Sequence, residues 1–183
     1  MAGELERLLE GNKRFVSGKM AAKDFVARRS ELVSGQKPFA IILTCSDSRV
    51  APEYIFDVSL GDIFVVRTAG NIADSIALGS MEYAAEHLGS PLLLVLGHEK
   101  CGAVGATCAG GTPDGNIASI VQEIYPAARA MGNNPEKTVS ENVKCVLGKI
   151  RKKSAILSHL ENGGKLKLSG AIYSLSTGEA KLL

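Results

Sequence analysis

The sequence has no stretch of about 18 consecutive apolar residues, so none of it reads as a membrane span. Its opening, MAGELERLLEGNKRF, is charged from residue 4 onward and lacks the unbroken apolar core of a secretion signal. An excess of one charge is also missing, since 21 Lys and Arg against 19 Asp and Glu leave a formal net charge of +2. The densest basic run, Lys149, Arg151, Lys152 and Lys153, is short and has no aromatic residue between its charges. It reads as a solvated helix end, which argues against nucleic acid as a partner. No low-complexity tract, internal repeat or linker divides the chain. The glycine-rich loop at 109–115 lacks the Lys-Ser/Thr ending of a phosphate-binding P-loop. The cysteines at 45, 101, 108 and 145 show neither framework spacing nor Cys-x-x-Cys. That leaves little basis for thiol-disulfide chemistry. A chain of 183 residues needs no disulfide staples, and the expected compartment is the reducing cytoplasm, where cysteines bind metal, catalyse or pack.

What is present fits an α/β architecture. With 45% apolar residues, residues 1–183 are expected to form a single domain, within the usual range of about 100–200 residues. Leu5, Leu8, Leu9 and Phe15 share one helical face, so residues 3–17 are expected to be an amphipathic helix. A charged helical stretch over 22–33 has little core of its own and makes residues 1–34 an N-terminal helical arm. FAIILT (39–44), IFVVR (63–67) and PLLLVLGH (91–98) are short runs that are apolar on both faces. Such runs suit strands of a parallel sheet covered on both sides. Helices are expected at 72–89, at 117–131 with an interruption or kink near Pro126, and at 136–154. KLKLSGAIYSL (165–175) reads as a late strand, with Ser-Thr-Gly as a turn and EAKLL as a possible return strand. The expected fold is a mostly parallel central sheet flanked by helices, ending in a strand or hairpin.

Sites in open α/β sheets form outside the carboxyl ends of strands. Two such ends carry chemistry here, CSDSR at 45–49 and GHEKCGA at 97–103. Cys45, His98 and Cys101 are three ligands suited to zinc. Three protein ligands leave the fourth tetrahedral position open, as in catalytic sites. Taken singly, each is equally a core residue, because free cysteine packs as a small hydrophobe. His98 would close a strand and Cys101 open a helix, with Glu99 and Lys100 as spacer or, for either, a modest part in loop hydrogen bonding. Asp47 and Arg49 are placed to pair. The Arg fork would keep the carboxylate ionised, either to fix the loop or to hold an acceptor beside the metal. Gly70, Gly102 and Gly105 are read as letting backbone and helix approach the site.

On these motifs, with GDIFVVRTAGN at 61–71 and GAIYSLSTG at 170–178, the chain resembles the β-class carbonic anhydrases in order and over nearly its whole length. The resemblance implies one Zn2+ per chain on Cys45, His98 and Cys101, with Asp47 and Arg49 as the active-site dyad. It implies reversible hydration of carbon dioxide to bicarbonate and a proton by zinc-bound hydroxide. Gln36 corresponds to a glutamine that reaches substrate across a dimer interface, and Phe64 and Tyr83 match apolar pocket positions. The implied assembly is a homodimer or a multiple of dimers, with the arm packing on its partner. Two departures stand out. Thr68 replaces the asparagine many members carry after the arginine, and there is no tryptophan for the regulatory bicarbonate pocket of one branch. Two thiolates cancel the charge of the metal. A shell of two cysteines and one histidine should therefore acidify water less than the three-histidine shell of other carbonic anhydrases, where the bound water has a pKa of about 7. Carbonyl sulfide and carbon disulfide hydrolases of the same fold share the zinc ligands and remain an alternative, as does a non-catalytic zinc protein. His87 and His159 read as helix-surface residues and offer no proton shuttle.

Overall fold

A computed structural model describes residues 2–111 and 113–183. Residue 112, in the glycine-rich loop, lies outside the described residues. Five strands form one sheet in the order β2-β1-β3-β4-β5. They are β1 (Ala40–Cys45), β2 (Ile63–Thr68), β3 (Leu92–His98), β4 (Lys167–Tyr173) and β5 (Ala180–Leu182). The first four are parallel, and β5 returns antiparallel to β4 as the hairpin partner the sequence allows.

The apolar runs divide by alternation between two cores. Ile41, Leu43, Leu93 and Val95 face α4 (Ser75–Glu86), α7 (Pro135–Lys153) and α8 (Ala155–Asn162), where Met81, Val143, Ile150 and Leu157 meet them. Ala40, Ile42, Leu92 and Leu94 face α1 (Ala2–Val16) and α3 (Pro52–Ile55), through Leu5, Leu8 and Ile55. Ile41, Ile42, Leu92 and Leu93 are fully buried. Burial on both faces is why these strands read as continuous apolar runs. Among the described residues, no helix is long and apolar enough to cross a membrane.

The N-terminal elements differ in how they are held. α1 lies directly on the chain's own body. Asn12 donates to Ile55 O at 3.0 Å and Gly178 O at 2.8 Å and accepts from Ala180 N at 2.8 Å, tying α1 to α3 and β5. α2 (Phe25–Glu31), capped by Asp24, buries none of its residues, which matches its sparse apolar content. Between them, the Asp57 carboxylate is wholly enclosed by Lys23, Arg14 and the Ala21 N–H. Burial raises its pKa, but Lys23, Arg14 and Ala21 outweigh it and move it from 3.8 down to about 2. A depressed carboxylate contributes stability that is complete above its unfolded value and lost as pH falls through the folded one. Asp57 should therefore hold the arm fully above about pH 4 and release it towards pH 2. Asp57→Asn at neutral pH should cost about 3 kcal/mol, the low end for breaking a buried pair, because Arg14 still reaches water. Chemical denaturation of both proteins between pH 7 and 2 checks this. The difference should shrink in acid.

The structure refines the sequence reading at three places. α6 (Ile117–Ala130) runs unbroken through Pro126. Proline removes one i→i−4 hydrogen bond, but buried Ile124, Ala127 and Ala128 keep the helix continuous. The helix expected to end at 154 is followed at once by α8. Ser154 closes α7, caps Leu157 N at 3.1 Å and donates to Glu82 at 2.6 Å. The four-residue α3 was not anticipated.

Candidate metal centre

The chain leaves β1 for β2 on one side and later places β3 on the other. The reversal of strand order therefore lies between β1 and β3, where ligands collect in such sheets. The pairing Thr44↔Leu96 sets Cys45 beside the last residues of β3. Thr44 Oγ1 fastens that pairing by donating to Leu96 O at 2.9 Å. A turn through Lys100, in the left-handed region at φ 51°, then brings Cys101 to the N-cap of α5 (Gly102–Ala109).

The donor atoms of Cys45, His98 and Cys101 all lie within 4.8 Å of one another, and all three residues are buried. No other such cluster of three occurs among the described residues. The two sulfurs are 4.0 Å apart. Two thiolates about 2.3 Å from one tetrahedral zinc stand about 3.8 Å apart. His98 Nδ1 donates to Glu99 O at 2.8 Å. That bond fixes the tautomer and leaves the lone pair on Nε2, which is buried with no hydrogen-bond partner. An orphaned imidazole nitrogen beside two thiols is costly in a protein interior, and a metal ion satisfies it. The residues fit zinc.

Around the sulfurs lie Ile72, Val104, Ile124 and Val139, an apolar shell that strengthens charge interactions inside it. The Cys101 thiol donates towards Cys45 and, with the Gly70 N–H, lowers the Cys45 pKa against the cost of burial. The pKa of Cys101 is raised, first by the neighbouring Cys45 thiolate and then by burial. The pair thus releases one proton easily and a second only when a cation compensates the repulsion.

Asp47 and Arg49 form a two-pronged ion pair, with Nε to Oδ1 at 2.9 Å and Nη2 to Oδ2 at 2.7 Å. The Arg49 backbone N–H adds a third bond to Oδ1 at 3.0 Å. Arg49 holds the Asp47 carboxyl well below the usual carboxylate range. Asp47 Oδ2 lies 3.9 Å from His98 Nε2, at the rim of the three donors. The structure therefore gathers Cys45, His98, Cys101, Asp47 and Arg49 into one site. It does not bring Gln36, Phe64 and Tyr83 to that site. Gln36 is exposed ahead of β1. Phe64 pairs with Ile41, four residues before the Cys45↔Thr68 level, or about 13 Å along the strand. Phe64 and Tyr83 meet each other, with ring centroids 6.4 Å apart. Of the three glycines expected to permit close approach, only Gly70 has neighbours a side chain would strike; Gly102 and Gly105 face open space.

One supporting residue escaped the sequence reading, and another was read chiefly as spacer with a loop hydrogen-bonding role left open. Arg67, near the end of β2, donates Nη2 to Asp47 O at 2.7 Å and Nε to Cys45 O at 3.2 Å, clamping the loop that carries both side chains. Glu99, read as spacer, is tied to the turn after β4, with its N–H on Tyr173 O at 3.0 Å and its carboxylate near Ser176. Arg67 was discoverable, since a residue at the end of a run neighbouring β1 in a parallel sheet stands beside the end of β1.

The family model described as Carbonic anhydrase matches residues 40–180. Carbonic anhydrase 2 of Mycobacterium tuberculosis is 42% identical over 184 residues, spanning 96% of this chain and 89% of that protein. A Coccomyxa β-carbonic anhydrase structure superposes with a TM-score of 0.78 at 28% identity, over 98% of this chain and 86% of the other. The chain belongs to the β-carbonic anhydrase family of enzymes. One of two tetrameric β-carbonic anhydrases from Sordaria macrospora shares the fold, with a TM-score of 0.76 at 22% identity over 85% of each chain. Among β-carbonic anhydrases, this chain has Thr68 at the end of its second strand; Thr68 O accepts from Ser46 N at 3.1 Å and Oγ1 donates to Ile72 O at 2.8 Å.

Proposed function

We propose that the protein catalyses the reversible hydration of carbon dioxide to bicarbonate and a proton, with one zinc ion held by Cys45, His98 and Cys101. The observation that carries this reading is the buried, unpartnered His98 Nε2 converging with two sulfurs. Zinc there would supply Lewis acidity, which makes water nucleophilic near neutral pH. Cys45 and Cys101 neutralise the dication, and His98 is held in the ligating tautomer by Glu99 O. Asp47 Oδ2 is the acceptor that takes a hydrogen bond from the attacking water and orients it. Arg49 keeps that oxygen anionic and held at the rim of the donors, and Arg67 fixes the loop beneath it. The apolar shell excludes competing water.

Residues 1–183 act as one domain in this reading, and the chain functions as a homodimer or a multiple of dimers. α2, with no buried residue, is the part of the arm that packs on a partner. Exposed Ile76 and, with it, Phe64 line a groove of about 320 Å3 along β2 that a partner would cover. Gln36, Phe64 and Tyr83 stand away from their own chain's sulfurs, and we assign them to the substrate pocket completed at that interface. A reducing compartment, the cytoplasm, suits two free sulfurs at 4.0 Å.

The test is the carbon dioxide hydration rate against pH on protein of measured zinc content, beside hydrogen sulfide release from carbonyl sulfide. Hydration that scales with zinc and stops on chelation is expected. Faster turnover of carbonyl sulfide would replace the proposed substrate, and zinc-loaded protein that does neither would make the site structural.

A further inference from the structure

Gly70 is fixed at both ends. Its N–H donates to Cys45 Sγ at 3.3 Å, and its carbonyl accepts from Asn142 Nδ2 at 2.9 Å. Its φ of 71° lies in the left-handed region, and a Cβ there would stand 2.6 Å from Ile124 Cδ1 and 3.2 Å from Ala103 Cβ. The backbone at this point is thus held for the bond it makes to the sulfur.

Asn142 is out of character for its place. It lies on the face of α7 that carries Val139, Val143 and Val146 into the core, and it is 1% exposed. An amide at such a position is unfavourable unless its hydrogen bonds are made. Nδ2 has the Gly70 carbonyl, while Oδ1 has no partner. Next to Gly70, Asn71 is also buried and its Nδ2 also has none. The packing of α7 does not need an amide here, and an apolar residue would avoid the unsatisfied atom. The one bond Asn142 makes leads to the peptide that touches Cys45.

We infer that Asn142 is a positioning residue for the metal centre. By holding the Gly70 carbonyl from α7, it aims the Gly70 N–H at the Cys45 thiolate and so sets how tightly that thiolate binds zinc. This rests on the zinc reading above. The N–H···S bond is charge-assisted. It keeps the sulfur pointed at its fellow donors. Partners of this kind, one bond removed from a metal, typically change affinity by about 10–100-fold when lost.

The experiment is zinc affinity by competition with a chromophoric chelator, for wild type, Asn142→Ala and Asn142→Leu. Leucine fills the position without a donor and covers the case in which the alanine variant does not fold. Both variants should bind zinc about 10–100-fold more weakly. A merely structural role would lower the unfolding midpoint of metal-free protein and leave zinc affinity unchanged, and that result overturns the inference. A second measurement needs no variant. In wild-type protein loaded with cadmium-113, the Gly70 amide proton should show scalar coupling to the metal across the N–H···S bond. Its absence also overturns the inference. Wild-type protein that takes up no metal would sink the zinc reading itself, an outcome distinct from wild type and variants binding alike.

Discussion

Replacing Cys101 with alanine is expected to abolish zinc retention and to return carbon dioxide hydration to the uncatalysed rate. The site has only three protein donors, supplied by two strand ends. Without Cys101, one thiolate and one imidazole remain, too few to hold the ion against water or chelator. The fold should survive. Cys101 is the N-cap residue of α5, its side chain makes no capping bond, and its backbone angles are open to alanine. Its loss from the apolar cluster with Val104 and Ile124 removes one sulfur from a core that α5 and α6 still close. Metal analysis after gel filtration, with circular dichroism as the folding control, checks this. Retention of stoichiometric zinc by Cys101→Ala would rule the residue out as a ligand.

Asp47→Asn should leave zinc content intact and lower kcat/KM by about 10²–10⁴, the usual contribution of a positioned proton acceptor. The substitution keeps the shape but removes the charge. It also turns an amide donor, in one of two orientations, against the Nε and Nη2 donors of Arg49, which stand 2.9 and 2.7 Å from the present oxygens. Arg49 would lose its ionic partner and at least one prong of the fork, so the remaining acceptor would be neutral and poorly aimed. Stopped-flow hydration on protein with one zinc per chain measures it. An unchanged rate would mean that the pair only braces the loop, the plainer reading the sequence left open.

The parts of this protein that were legible in its sequence share a physical cause. Strands β1 and β3 are apolar on both faces because helices cover both, and that pattern is local. The strand ends were marked because Cys45 and His98 interrupt those runs with chemistry a core does not need. Asp57 and Asn142 were not legible, because each does its work through backbone groups or partners that are distant in the chain, whereas Arg67 carried a usable signal in its place at the end of a strand run. Asp57 follows Phe56 with nothing local to set it apart, and its cations come from residues 14 and 23. Asn142 reads as one more polar position on a long helix until the Gly70 carbonyl is found beside it. Gln36, Phe64 and Tyr83 show the opposite case. They were picked out by resemblance alone, and one chain's structure does not bring them to its own metal donors.

The reversal of strand order between β1 and β3 has a consequence for the unfolded chain. Cys45 and Cys101 are 56 residues apart. An ion shared by both closes a loop of that length, as a disulfide bond would. For a loop of about 56 residues the chain-entropy estimate is about 4 kcal/mol, comparable with the whole net stability of a small domain. With zinc bound as proposed, the ligands that prepare the chemistry would therefore also act as a removable cross-link. It joins two strands that are neighbours in space but far apart in the order of synthesis.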